Sequence, residues 1–132
     1  MTANPTVFVI DDDSSVRRSL GRLLASAGHR VVECASAEEF LALPCWARPS
    51  CIVTDVRMPG MTGIDLMEAI RARGGDLPVI LSSGDVDAAT AAQARAGGVT
   101  RFLSKPFAAT ELLAAVGEAI ESDRIATAGR RA

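Results

Sequence analysis

The chain has 132 residues, about half of them apolar, which suits one compact domain with a single core. A net charge of −2 offers no cationic face for nucleic acid, so direct DNA or RNA binding by this chain is not expected. No apolar run is long enough for a membrane span, and the start "MTANPT" lacks the basic and apolar parts of a signal peptide, so a cytoplasmic protein without membrane contact is expected.

Five short apolar segments read as strands: Thr6 to Ile10, Arg30 to Cys34, Cys51 to Asp55, Pro78 to Ser83 and Arg101 to Ser104. Helical patterns lie between and after them. From Ser14 to Ala27, residues Val16, Leu20, Leu23, Leu24 and Ala27 make one apolar stripe, with Gly28 as the stop. Ser36 and Glu39 form a capping box for a short second helix ending near Pro44. Ile64, Met67 and Ile70 mark a third, closed by Gly74 and Gly75. Val86 to Ala96 is an alanine-rich fourth, and Leu112, Leu113, Val116 and Ile120 give a fifth its buried side. The tail "ESDRIATAGRRA" has no apolar stripe beyond Ile125, so the domain is expected to span residues 1–122, with 123–132 a linker or disordered end.

Strands alternating with helices predict an α/β fold, a five-stranded parallel sheet covered on both faces, because parallel neighbours need crossover connections. Ligands in such sheets sit beyond the carboxyl ends of the strands. Here those ends carry Asp11, Asp12 and Asp13, then Asp55, then Ser82 and Ser83, and finally Lys105 and Pro106. Carboxylates, a hydroxyl and an ammonium on one rim suit a hard divalent cation and a phosphoryl group, and magnesium fits because it takes one or two carboxylates plus waters and phosphate oxygens.

Other residues read as structural. Asp13 is expected to start a helix. His29 follows Gly28 in a helix-to-strand turn, away from the rim. Trp46 is expected to cover the core edge, and Cys34, Cys45 and Cys51, without a Cys-x-x-Cys spacing, read as reduced thiols. Lys105-Pro106 is a candidate cis peptide.

"VIDD" after the first strand, "TDVRMPGMTG" around Asp55, "SSG" after the fourth strand and "KPF" at Lys105 resemble the receiver domain of two-component response regulators. The similarity covers about residues 5 to 122, and "DVRMPGMTG" with Ser83-Gly84 is similar to the FixJ-like subgroup. The resemblance implies a (βα)5 doubly wound, CheY-like and flavodoxin-like sheet of strand order 2-1-3-4-5. It implies that Asp55 accepts a phosphoryl group from a histidine kinase or phosphotransfer protein, in a phosphoacceptor that is not a turnover enzyme. Magnesium would be held by Asp11, Asp12, Asp55 and the backbone carbonyl of Arg57, with Lys105 and Ser83 on the phosphate. Ser83 and Phe102 would form the switch, and Arg57 and Asp85 would pair across the mouth of the site and set the phosphate lifetime. Output would pass through the fourth helix, fifth strand and fifth helix, to a partner, to a second copy in a homodimer, or to a DNA-binding domain following the receiver.

Two rivals are weaker. A haloacid-dehalogenase-like phosphatase would use Asp11 and Asp13, but needs an acidic pair after Lys105, where only Glu111 stands. A receiver-like interaction module without phosphorylation would be suggested by a lost signature residue, and none is lost.

Overall fold

A computed structural model of the chain describes residues 5–85 and 87–131, residues 129–131 through their backbone alone. Ten elements alternate along it: β1 (Thr6–Ile10), α1 (Ser14–Ser26), β2 (Arg30–Cys34), α2 (Ala37–Leu41), β3 (Ser50–Asp55), α3 (Gly63–Ala72), β4 (Val79–Ser83), α4 (Ala88–Ala96), β5 (Arg101–Ser104) and α5 (Ala109–Arg131). The sheet is wholly parallel in the order β2-β1-β3-β4-β5. This is the CheY-like, flavodoxin-like arrangement, and the order reverses between β1 and β3.

Both faces of the sheet are covered, which is why the central strands are apolar throughout rather than alternating with polar residues. The two faces still separate by the strand period of two. Val7 and Val9 of β1 pack with Leu24 of α1 and with Leu112, Ala115, Val116 and Ala119 of α5. Phe8 and Ile10 point the other way, toward Phe40 of α2, Leu66, Met67 and Ile70 of α3, and Ala94 of α4.

Helix starts follow their capping residues. The Asp13 side chain accepts from the amides of Ser15 and Val16, Ser36 from Glu39, and Asp87 from Thr90. Thr62 and Asp65 form a reciprocal capping box at α3. The α2 helix stops at Leu41, short of Pro44, since the residue before a proline is disfavoured in the helical region. Val86, the expected start of the fourth helix, lies outside the described residues. Trp46 stacks on Phe40 at 4.9 Å between ring centroids and covers the core edge. Lys105-Pro106 is cis, as is Arg48-Pro49. Cys34, Cys45 and Cys51 are free thiols. Burial pushes Cys34 up to about 11 and Cys51 to about 12, which leaves both thiols protonated and inert at neutral pH.

Residues 123–131, expected as linker or frayed end, continue α5 as helix. Their anchor is ionic rather than apolar. The Asp123 carboxylate is buried and receives the Arg48 guanidinium through Nε at 3.0 Å and through Nη2, together with the Ser50 amide at 2.9 Å. Arg48 also reaches Asp76 at 3.1 Å.

Candidate functional site at the carboxyl end of the sheet

The register of the sheet assembles the site. Ile10 pairs with Thr54, so the next residues, Asp11 and Asp55, stand side by side where the strand order reverses. Asp55 pairs in turn with Ser82, and Ser83 with Ser104, which brings Ser83 and Lys105 to the same rim.

Asp55 is 16% exposed and held from two sides: Lys105 Nζ lies 3.1 Å from Oδ2, and the Arg57 amide donates to Oδ1 at 3.2 Å. Its carboxylate is thus fixed and charge-compensated while still open to solvent. Asp11 is buried, at 4% exposure, and its Oδ1 accepts the Asp13 amide at 2.9 Å. Burial raises its pKa above the ordinary 3.8, with repulsion from Asp55 and Asp12 adding to the rise, while the Asp13 amide and Lys105 oppose it. Asp12 is exposed beside them.

This donor set can hold a hard divalent cation. Among the described residues no group of three His, Cys, Asp or Glu side chains forms a metal cage. Yet Asp11 keeps a carboxyl whose ionisation is disfavoured by burial first and by its acidic neighbours next, and a cation would offset that cost. A few carboxylates, with water at the remaining positions, suit magnesium rather than an ion that demands a full protein cage.

Ser83 is buried at the end of β4, with its hydroxyl donating to the Asp85 carbonyl and accepting the Asp85 amide, each at 3.2 Å. The hydroxyl is thus engaged with the β4–α4 loop. Phe102 of β5 is partly buried and packs against the core on the α2–α4 side. The Arg57 side chain turns to that loop, where Nη2 lies 3.2 Å from Asp85 Oδ2, with the two side chains 67% and 81% exposed. Arg57 also adds to the forces that hold the Asp87 carboxyl below its usual range, behind the larger effect of the Thr90 hydrogen bonds. Asp13 serves α1 as its cap. His29 stands between α1 and β2, at the opposite ends of the strands.

Gly60 and Gly63, flanking Met61 and Thr62, predict a tight loop over the site, whereas Arg17 and Glu33 go beyond what sequence reading finds. Gly63 opens α3 so close to Asp55 that a β-carbon there would lie inside 3.0 Å of the Asp55 carbonyl oxygen. Arg17 Nη1 donates to the Asp11 carbonyl at 2.8 Å, and Arg17 Nε lies 3.4 Å from Glu33. The glycines give the tight loop but not its backbone contact with Asp55, and nothing in the spacing of Arg17 and Glu33 marks them as neighbours.

Comparison with known proteins identifies the family. The sequence model of the response regulator receiver domain matches residues 7–117. Nodulation protein W of Bradyrhizobium diazoefficiens is 43% identical over 118 residues, covering 89% of this chain and 52% of that protein. The transcriptional regulatory protein FixJ of Azorhizobium caulinodans is 44% identical over 110 residues, covering 83% and 52%. The solved structure of the response regulator StyR superposes with a TM-score of 0.91 at 37% identity, over 98% of this chain and 65% of that one. The chain spans about half the length of Nodulation protein W and of this FixJ. Among the described residues no helix is long and apolar enough to cross a membrane. With the strand order, the paired Asp11 and Asp55 and the sequence match in agreement, the chain belongs to the response regulator receiver domain family of two-component systems, as a FixJ-like member.

Proposed function

We propose that Asp55 is the phosphoacceptor of this receiver. The observation that carries the reading is the contact of Lys105 Nζ with Asp55 Oδ2 at 3.1 Å, on a carboxylate that remains solvent-accessible beside the buried Asp11. An Asp55 oxygen attacks the phosphorus of a phosphohistidine on a sensor kinase or phosphotransfer protein. The phosphorus–nitrogen bond breaks, the imidazole keeps its electron pair and takes a proton from solvent, and an aspartyl phosphate results.

Little covalent chemistry is left for the protein, so its residues position groups and offset charge. Lys105 neutralises the phosphoryl oxygens. Asp11, Asp12, Asp55 and the Arg57 carbonyl would hold magnesium, which when bound draws the phosphoryl oxygens to the rim and offsets their charge. Ser83 leaves the Asp85 backbone for the phosphate, and Phe102 moves into the space vacated. A side chain with two packed positions is a bistable element that a local charge change can bias. The altered face is α4, β5 and α5, and it controls a partner, a second copy, or an output domain such as those of the longer transcription regulators related to this chain. In this reading the chain acts in the cytoplasm as a stoichiometric acceptor rather than a turnover enzyme, and it does not itself bind DNA.

Intact-mass spectrometry after incubation with magnesium and acetyl phosphate tests this. The wild type should gain the mass of one phosphoryl group only when magnesium is present, and Asp55→Asn should gain none. Equal gain in the variant would overturn the assignment.

A further inference from the structure

Asp11 is held at three points, two through its backbone and one through its carboxylate. Its amide donates to the Cys34 carbonyl of β2 at 3.2 Å, which extends the β1–β2 ladder one residue past Ile10. Its Oδ1 accepts the Asp13 amide, and its carbonyl accepts Arg17 Nη1 at 2.8 Å. Arg17 is itself fixed, 16% exposed, with Nε 3.4 Å from Glu33 Oε1 on β2. Glu33 has room to lie against α1 because residue 21, one turn beyond Arg17, is glycine: a β-carbon there would stand 3.2 Å from Glu33 Oε2.

We infer that Arg17 is a positioning residue for the cation site: tied to β2 by Glu33, it locks the Asp11 backbone so that the buried carboxylate keeps its aim at the rim. The inference rests on the reading of Asp11 as a magnesium ligand. Arg17 does not touch the cation or the phosphoryl group. It spans three elements, β1, α1 and β2, and the guanidinium suits the task because its rigid fork serves a carbonyl and a carboxylate at once. Groups that orient a metal ligand from behind commonly matter about 10- to 100-fold in metal affinity.

The direction of the effect separates this role from a simple charge effect. Arg17 is a cation near an acidic site, so by Coulomb attraction alone its removal would tighten magnesium binding or leave it unchanged. Loss of positioning acts the other way.

Titration calorimetry with magnesium chloride, on unphosphorylated protein, reads the difference. Arg17→Ala should weaken magnesium binding about 10-fold. Arg17→Lys, which keeps the charge but on one nitrogen in place of the fork, should weaken it by less. Arg18→Ala, which removes an exposed neighbouring charge, should bind as tightly as wild type or tighter. Melting curves in chelator show each variant folded, and Arg17→Lys carries the comparison if Arg17→Ala does not fold. Affinity in Arg17→Ala equal to or above that of wild type, or in Arg17→Lys where that variant alone folds, would overturn the inference while leaving the magnesium site intact. A wild type that binds no magnesium at millimolar concentration would overturn the site reading itself and the inference with it.

Discussion

Gly63 and Asp55 are in backbone contact: the first residue of α3 lies against the carbonyl of the residue that ends β3. A methyl group at 63 would meet that carbonyl and Leu81 Cδ2, and a backbone atom cannot move aside as a flexible side-chain end can. The Gly63 amide also donates to the Val56 carbonyl at 3.0 Å, so the loop cannot back away cheaply. Gly63→Ala should therefore cost about 1–3 kcal/mol, as overpacking does, and slow acetyl phosphate labelling by displacing Asp55. Denaturant melts and labelling rates check the two effects, and an unchanged midpoint would show that the loop yields.

A tight loop at Gly60 to Gly63 was legible in the sequence, as the elements were, but its backbone contact with Asp55 was not. Short apolar, largely β-branched segments placed all five strands within a residue of their observed limits, most plainly β1, β3 and β4, which are covered on both faces. The rim was legible because each strand ends in a chemically distinct residue: Asp11, Asp55, Ser83 and Lys105 need only the topology to meet. What patterning could not reveal is contact through backbone atoms, as at Gly63 and Arg17, or an ionic anchor, as at Asp123. An apolar-stripe test rejects the end of α5 because the residue that fastens it is a carboxylate.

That anchor makes a second prediction. Asp123 is almost wholly buried, and its removal leaves Arg48 facing Asp76 and partial solvent, with the Ser50 amide unpaired. Breaking a buried pair from one side is strongly destabilising, so Asp123→Ala should cost about 3 kcal/mol. Truncation after residue 122 should destabilise comparably. Urea unfolding of both forms measures this, and a truncated chain as stable as the full one would show that residues 123–131 lie outside the folding unit.

The Asp11 carboxyl gives a pH dependence. Its folded-state pKa is raised above 3.8 by burial first and by Asp55 and Asp12 next, so the folded chain holds this proton more tightly than the unfolded chain. The stability this contributes is fully present below pH 3.8 and is lost as pH rises through the folded-state value. At neutral pH the ionised Asp11 is a net cost. In chelator, Asp11→Asn should melt above wild type at pH 7, with the gap closing toward pH 4. Magnesium should raise the wild-type melting temperature and leave that of Asp11→Asn nearly unchanged.

Arg57 and Asp85 pair in full solvent, which predicts a functional effect without a stability effect. Such pairs contribute little, so Arg57→Ala should change stability by less than about 0.5 kcal/mol. The pair links the β3–α3 and β4–α4 loops, and the proposed role in phosphate lifetime requires it to slow water attack at Asp55. Arg57→Ala should shorten the aspartyl phosphate lifetime severalfold, read as decay of the phosphorylated mass after removal of acetyl phosphate. An unchanged lifetime would remove Arg57 and Asp85 from any role in hydrolysis.

The central claim is that a phosphoryl group is carried by the Asp55 carboxylate, and the most direct measurement locates it. Borohydride reduces an aspartyl phosphate to homoserine, which peptide sequencing by mass spectrometry assigns to one position. Homoserine at position 55, dependent on magnesium and acetyl phosphate, is the predicted result; homoserine at Asp11, Asp12 or elsewhere, with position 55 intact, would contradict the account.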